Sequence, residues 1–215
     1  MRQTVSEVDD RVSAWVLVCT AVLSVAIAPS PGRASPATTT ATAPATDSAH
    51  WGELRPHFRL HSLDGREVTQ ASYGDKWLVV YFGYTFCPDV CPTVLIEIGH
   101  VLKSLGPMAD RIQPVFITVD PARDTAGHLA QYLGAFSPRI VGLRGDAEEL
   151  KSTARQFHVY YNPRSLGNGD YAVDHSSYLY VVAPDARLVK VLPDSLTEPQ
   201  LAAELKRLVQ GGSRR

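Results

Sequence analysis

The segment YFGYTFCPDVCPT, from Tyr81 to Thr93, places two cysteines four residues apart where an apolar stretch ends. Apolar residues run almost without interruption from Trp77 to Phe82, a pattern typical of a central β-strand that is buried on both faces. A proline directly follows each cysteine, which favours an extended backbone at Cys87 and Cys91 and suits the first position of a helix after Cys91. The segment is therefore predicted to lead from a strand into a helix.

The predicted helix N-terminus lies at Cys91. Free N–H groups and the positive end of the helix macrodipole stabilise a thiolate there, which lowers the thiol pKa and makes the sulfur more available as a nucleophile and a metal ligand. The charge of Asp89 opposes this effect mildly. We therefore expect the chemistry of the protein at this cysteine pair.

Composition allows one ordinary folded domain with appendages. The chain has 215 residues, of which 45% are hydrophobic and 20% are charged. Its 21 basic and 22 acidic residues give a net charge of -1, so no overall field favours nucleic acid or an anionic membrane surface as a partner. Nucleic-acid binding is not expected.

The N-terminal region is predicted to direct export. Residues 12–28 form an uncharged apolar run after Arg11, close to the lower limit for a membrane span and slightly long for a signal peptide. Residues 1–34 are thus predicted to be either a cleaved signal peptide, with a candidate site after Ala34, or an uncleaved membrane anchor. Cys19 lies in this run and is interpreted as a small lipid-facing residue. The predicted location is periplasmic, or the extracytoplasmic face of the cell membrane, to which the protein is anchored.

A linker and a single folded domain are predicted to follow. Residues 35–50 are rich in Pro, Ala and Thr and cannot build a core, whereas residues 51–211 have the pattern of a globular domain. Cys87 and Cys91 are the cysteines of the exported part, which reaches an oxidising compartment. A close pair in that setting is a disulfide, a redox couple or a metal site.

The domain alternates predicted strands and helices. In order, these are a hairpin at 58–69 with a two-residue Asp64-Gly65 turn, the central strand, a helix from Pro92 to about Leu105, a strand at 112–119, a helix from Asp124 or Thr125 to Leu133, a strand at 140–143, a helix from Asp146 to about Phe157, a hairpin at 178–192 and a helix from Thr197 to about Gln210. Residues 158–174 are predicted to be a long irregular loop. The order predicts an α/β, thioredoxin-like fold: a mixed central sheet flanked by helices, with an N-terminal β-hairpin.

His175 is the candidate third ligand. It enters a predicted strand from the long loop, and in a thioredoxin-like fold that approach faces the cysteines. Two thiolates and one imidazole suit Cu(I), which accepts two or three ligands, whereas Zn²⁺ prefers four. By spacing alone, a surface or core role is the commoner one for a histidine.

Three blocks of sequence resemble the signature blocks of the Sco/SenC family, exported copper-binding proteins of cytochrome c oxidase assembly. They are Phe82–Pro92, Val119–Thr125 and Val173–Ser176, and the resemblance extends from about Phe58 to Leu208. It implies a membrane-tethered thioredoxin-like domain that binds one copper ion, as Cu(I) or Cu(II), and helps to load the binuclear copper site of oxidase subunit II.

By position, the resemblance assigns Cys87, Cys91 and His175 as copper ligands. Asp120 matches an acidic position near the site, where it either tunes the metal or touches a partner, or else simply caps the turn after its strand. Asp174 is expected to point away from His175, because neighbours along a strand face opposite sides. The other histidines are interpreted as surface residues (His50, His57, His61) or structural ones (His100, His128, His158).

Two functions follow from this interpretation. The first is a copper chaperone whose partners are oxidase subunit II and other copper chaperones. The second is a thiol-disulfide reductase, with Cys87 and Cys91 as its catalytic residues, that keeps the copper-ligating cysteines of the oxidase reduced and is itself served by a thioredoxin-like reductant. The three-residue gap between the cysteines and the presence of His175 favour metal binding. A thioredoxin-fold peroxidase is a more distant alternative.

Overall fold

The computed structural model of the chain describes residues 53–212. The predicted leader, the linker, Cys19 and His50 lie outside these residues, so the structure does not bear on them. Within residues 53–212, none of the helices combines the length and the apolar character that crossing a bilayer requires.

The described residues form nine strands and four α-helices. The strands are β1 (Arg59–Ser62), β2 (Glu67–Thr69), β3 (Trp77–Gly83), β4 (Ile112–Thr118), β5 (Val141–Arg144), β6 (Tyr161–Gly167), β7 (Asp170–His175), β8 (Tyr178–Val182) and β9 (Leu188–Pro193). The helices are α1 (Val90–Ser104), α2 (Ala126–Gly134), α3 (Ala147–Gln156) and α4 (Glu198–Gly212), with 3-10 turns at Gln70–Tyr73 and Gly106–Arg111.

Seven strands form a mixed sheet in the order β2-β1-β5-β4-β3-β8-β9, while β6 and β7 form a separate two-stranded sheet. The central strand β3 runs parallel to β4 and antiparallel to β8, and all seven of its residues are buried. Trp77, Val79 and Tyr81 belong to a hydrophobic cluster shared with α1 and α4. The alternate residues of β3 belong to a second cluster, shared with α3. Helices therefore cover both faces, and the predicted thioredoxin-like α/β architecture is confirmed.

The N-terminal hairpin is formed by β1 and β2, as predicted, but its turn is longer than expected. The N–H of Ser62 donates to the carbonyl of Arg66 (2.9 Å), which leaves a three-residue loop of Leu63, Asp64 and Gly65. Gly65 has φ +84°, the left-handed conformation that such a loop requires of its last residue. Because β1 also pairs with β5, the hairpin completes one edge of the main sheet.

Helix α1 begins earlier than predicted. Its first residue is Val90, so Cys91 lies within the first turn, and the prediction of an extended Cys91 is wrong. Pro92 is tolerated at the third position because the N–H groups of a first helical turn have no intrahelical acceptor to lose. The helix N-terminus thus includes Cys91 and lies directly after Cys87.

The predicted irregular loop at 158–174 is wrong, because most of it forms the β6–β7 hairpin. Asn168 and Gly169 have φ +53° and +81°, as a two-residue type I′ turn requires, and Gly167 pairs with Asp170 on either side of them. The Asn-Gly signal was present in the sequence, but six of the seven residues of β6 are exposed, so no apolar alternation marked the strand. His175 is the last residue of β7 and pairs with Tyr161.

The other helices match the predictions with small shifts. Thr125, not Asp124, caps α2 by accepting a hydrogen bond from the N–H of His128 (3.2 Å). The predicted capping box at the start of α3 is present, with Asp146 accepting from the N–H groups of Glu148 and Glu149. Gly211 and Gly212 do not end α4 as expected, because the helix continues through Gly212.

We expect the chain from Trp51 onward to fold without residues 1–50. Both hydrophobic clusters are built from residues between Phe58 and Val209, with partly buried Leu54 packed against one of them. Circular dichroism and thermal unfolding of the shortened protein measure this directly. A disordered spectrum without a cooperative transition would show that the domain boundary is wrong.

Candidate metal centre

Two cysteines and one histidine converge at the end of β3. Cys87 lies on the loop between β3 and α1, Cys91 lies in the first turn of α1, and His175 ends β7, 84 residues after Cys91. Their sulfur and imidazole nitrogen atoms all lie within 4.8 Å of one another, and Cys91 Sγ is 3.6 Å from His175 Nε2. Within residues 53–212, this is the one group of three or more His, Cys, Asp or Glu side chains close enough to hold an ion.

The sulfur of Cys91 occupies space that a side chain at Gly83 would need. Cys91 is fully buried, whereas Cys87 and His175 are partly exposed. A Cβ atom built at Gly83 would lie 2.9 Å from Cys91 Sγ and 3.0 Å from the ring of Phe116. Glycine at the end of β3 therefore lets the sulfur approach the sheet backbone, and the accessible side of the site is formed by Cys87 and His175.

The two thiols have pKa values shifted in opposite directions. The Cys91 thiol donates a hydrogen bond to the Cys87 sulfur, and the backbone N–H of Cys91 is a further donor; both help to lower the pKa of Cys87 to about 3. The same thiol–thiolate bond, together with burial, raises the pKa of Cys91. The reduced pair thus holds a thiolate at Cys87 and a thiol at Cys91.

The prediction that Cys91 carries the thiolate is therefore wrong. The N–H of Cys91, in the first turn of α1, points at Cys87 Sγ at 3.5 Å. The favourable end of the helix acts on the preceding cysteine, while Cys91 itself is buried under the loop.

We expect Cys87 to be alkylated about tenfold or more faster than Cys91 in the reduced, copper-free chain. The Cys87 thiolate is lost only as pH falls through about 3, so its rate should stay nearly constant from pH 5 to 8. Iodoacetamide labelling followed by peptide mass spectrometry resolves each cysteine, including Cys19. Equal rates at Cys87 and Cys91 would contradict the assigned charge distribution.

The imidazole of His175 is oriented for binding through Nε2. Nδ1 lies 3.0 Å from the carbonyl oxygen of Ser176, which only accepts, so Nδ1 carries the proton and Nε2 keeps a free lone pair. The ring of Tyr84 meets the imidazole edge-on, with centroids 5.8 Å apart. The backbone carbonyl thus selects the tautomer that presents Nε2 to the sulfurs.

Tyr81 and Ser177 are site residues that the sequence analysis did not identify. The Tyr81 hydroxyl donates to Cys91 Sγ (3.7 Å) and lies 3.1 Å from Ser177 Oγ. Strand alternation offered a signal for Tyr81, because it shares with Gly83 the face of β3 that carries the site.

The carboxylate of Asp124 stabilises the loop between β3 and α1, which carries Cys87, through hydrogen bonds. Its fully buried carboxylate accepts hydrogen bonds from the hydroxyls of Thr85 (2.5 Å) and Thr118 (2.6 Å) and from the N–H of Thr85 (3.2 Å). The sequence analysis considered only a helix cap at this position. The network ties the loop before Cys87 to the end of β4.

Asp120 is buried and is held by residues other than the three candidate ligands. It accepts hydrogen bonds from Arg123 Nε (2.5 Å) and from the Tyr171 hydroxyl (2.7 Å). Its role in tuning the metal or contacting a partner stays a prediction. Asp174 is exposed and pairs with Arg164 (3.2 Å), which agrees with its expected direction away from His175.

None of the other described histidines belongs to this group of candidate ligands. His61 pairs with Glu149 (3.2 Å), His100 lies 3.7 Å from Glu198, and His128 stacks on Phe86 with centroids 5.5 Å apart. His57 is exposed, and His158 has a positive φ at the end of α3.

The fold and the site define a class of protein: a thioredoxin-like domain that combines a dithiol with an imidazole as a candidate soft-metal centre. A model of the SCO1/SenC family matches residues 46–210, and the chain belongs to this family. The resemblance noted in the sequence is thereby confirmed.

Several relatives and solved structures are similar to the chain. It is 40% identical over 147 residues to the Arabidopsis thaliana mitochondrial protein SCO1 homolog 1, covering 66% of this chain and 44% of that protein. It is 37% identical over 152 residues to the human mitochondrial SCO1 homolog, covering 69% and 50%. The chain thus spans about half the length of these relatives.

The solved structures that are similar to the chain include copper-bound ones. ScoI of Bradyrhizobium japonicum with copper bound is 39% identical, with a TM-score of 0.66 and coverage of 72% of this chain and 98% of that one. Yeast Sco1 with copper bound is 34% identical, with a TM-score of 0.67 and coverage of 75% and 90%.

Proposed function

We propose that the chain is an exported copper-binding protein that assists assembly of the binuclear copper site of cytochrome c oxidase subunit II. It binds one copper ion through Cys87, Cys91 and His175. The observation that carries this proposal is the convergence of two sulfurs and one imidazole nitrogen within 4.8 Å. The copper-bound family members of known structure support the choice of ion.

The donor set fits copper better than zinc. Soft thiolates combined with an imidazole suit Cu(I) in two- or three-coordinate sites, whereas structural Zn²⁺ takes four ligands. Among residues 53–212, no fourth His, Cys, Asp or Glu joins the group. The nearby carboxylate of Asp120 is engaged by Arg123 and Tyr171.

The proposed ligands differ in exposure, which favours an ion that is passed to another protein over one that is permanently retained. Cys91 anchors the ion from inside the domain, while Cys87 and His175 lie at the surface, where a ligand of another protein can reach the ion. Exchange of one exposed ligand at a time would let copper pass to the oxidase subunit or arrive from another copper chaperone. The apolar run at 12–28 supports export and anchoring at the extracytoplasmic face of a membrane.

A second candidate is thiol-disulfide reduction of the copper-ligating cysteines of the oxidase. It is favoured by the Cys87 thiolate, which is partly exposed. The Cys87 sulfur would attack a partner disulfide, forming a mixed disulfide and releasing one partner thiolate. Cys91 would then lose its proton and attack Cys87 Sγ, which releases the second partner thiolate and leaves the chain oxidised. A thioredoxin-like reductant would restore the dithiol.

Anaerobic copper titration of the reduced chain, followed by X-ray absorption, tests the metal site. We expect one copper per chain with two sulfur ligands and one nitrogen ligand. Cys19→Ser serves as the matched control and should leave stoichiometry and ligands unchanged. A copper sphere without sulfur, or no binding at all, would refute the proposal.

A further inference from the structure

The hairpin that carries His175 is not part of the main sheet. Among residues 53–212, strands β6 and β7 pair only with each other, so no ladder of backbone hydrogen bonds in this part of the chain fixes them to the seven-stranded sheet. An apolar cleft of about 280 Å³ lies between hairpin and domain, lined by residues that include Val119, Leu150, Pro163 and Val173. Specific side-chain contacts must therefore hold β7 in place.

Arg123 makes such contacts with both the hairpin and the cysteine loop. Its guanidinium carbon lies 3.7 Å from the ring centroid of Tyr171 on β7, and 4.7 Å and 5.8 Å from those of Phe86 and Tyr84 beside Cys87. Nη1 donates to the carbonyl of Tyr171 (2.8 Å) and lies 3.4 Å from an oxygen of Asp170. One side chain thus bridges the two segments that supply the candidate ligands.

Asp120, which lies just after the end of β4, holds the side chain of Arg123 in place. Its two oxygens accept separately from Arg123 Nε (2.5 Å) and from the Tyr171 hydroxyl (2.7 Å). The side chains of Arg123 and Asp120 are 19% and 3% exposed, so the ion pair is largely shielded from solvent and salt. Nη2 of Arg123 is buried without a hydrogen-bond partner among the described residues, consistent with a guanidinium packed on aromatic faces.

We propose that Arg123 is a positioning residue that holds β7 against the cysteine loop and thereby keeps Nε2 of His175 within reach of the two sulfurs. Tyr171 and His175 lie four residues apart on one strand and therefore on the same face. Fixing Tyr171 also fixes the direction in which β7 delivers His175. The inference rests on the proposed function for the ligand role of His175, but its effect on the hairpin does not require a metal.

Copper binding by Arg123→Gln and Arg123→Lys tests the proposal. Lysine keeps the charge but lacks the planar group that stacks on the rings. Both variants should bind Cu(I) about tenfold or more weakly than the unaltered chain, as is typical when the support of a ligand is lost. X-ray absorption should show less nitrogen at the copper, with both sulfurs retained.

A double variant separates positioning from a general loss of stability. If Arg123 acts through His175, adding Arg123→Gln to His175→Ala should lower affinity no further than His175→Ala alone. The matched control is Arg164→Gln, which removes an exposed arginine paired with Asp174 within the same hairpin and should change affinity less than twofold. Unchanged affinity in both Arg123 variants, or a full additive loss in the double variant, would overturn the proposal.

Hydrogen exchange of the copper-free chain provides a readout without metal. The Arg123 variants should exchange the amides of residues 170–175 about tenfold or more faster, while those of β3 stay protected and show that the domain is folded. Unchanged exchange in the hairpin would overturn the proposal. If Arg123→Gln fails to fold, Arg123→Lys decides by the same measurement. Failure of the unaltered chain to bind copper would refute the proposed function, whereas the hairpin result would still decide the role of Arg123.

Discussion

Oxidation of Cys87 and Cys91 to a disulfide should remove Cu(I) binding, lowering the affinity by more than about a thousandfold. The two sulfurs are free in the structure and belong to a group whose ligand atoms lie within 4.8 Å of one another, so the bond can form with a small local movement. Oxidation removes both sulfur ligands and leaves His175 alone, and a single imidazole holds Cu(I) poorly. We therefore expect reduction of the pair to control copper loading.

The measurement compares Cu(I) affinity of the oxidised and reduced chain against a competing chelator. Cys19→Ser in both states excludes a contribution from the third cysteine, and re-reduction should restore binding completely. Proton release on binding to the reduced form is a second expected result, because Cys91 must lose its proton to become a ligand. An oxidised chain that binds Cu(I) within tenfold of the reduced one would contradict the assignment of the sulfurs as ligands.

The substitution His175→Ala should separate metal binding from thiol chemistry. Affinity for Cu(I) should fall by about a hundredfold or more, because one of three ligands is lost. The dithiol should remain able to form its disulfide at nearly the same potential, since the largest influence on the Cys87 thiolate is the hydrogen bond from Cys91, which this substitution leaves in place.

Copper affinity and dithiol potential are measured together on this variant. Asp174→Asn is the matched control, because Asp174 is the exposed neighbour of His175 and pairs with Arg164. An unchanged affinity would show that His175 is not a ligand. A shift in potential well beyond about 30 mV, which corresponds to ~1.4 kcal/mol for this two-electron couple, would instead favour the reductase function.

Much of the framework could be predicted from local sequence patterns. The apolar run at 77–82 is the central strand, and Cys87, Cys91 and His175 do converge. These features could be predicted because a strand buried on both faces appears in the sequence as an apolar run. The three ligand candidates lie in blocks whose family resemblance can be recognised directly. The role of Asp124 could not be predicted from the sequence, because its partners Thr85 and Thr118 belong to different segments.

Two of the wrong predictions have identifiable physical causes. The hairpin was missed because an exposed two-stranded sheet lacks the apolar alternation that reveals a strand, although Asn168-Gly169 marked its turn. The sequence analysis assigned the thiolate to Cys91 because Cys91 lies at the helix N-terminus. The sequence does not reveal that the N–H of Cys91 points at Cys87. The contacts of Arg123 likewise depend on how separate segments pack, which no local pattern encodes.

The separation of 84 positions between Cys91 and His175 has a consequence for biogenesis. Synthesis proceeds from the N-terminus, so the cysteine pair emerges well before the histidine and exists at first as a plain dithiol in an unfolded chain. During that interval the short spacing permits oxidation, whereas the three-ligand site forms only after a long loop has closed and the hairpin has docked. On the proposed ligand set, copper held by all three side chains therefore requires a chain that has completed its folding.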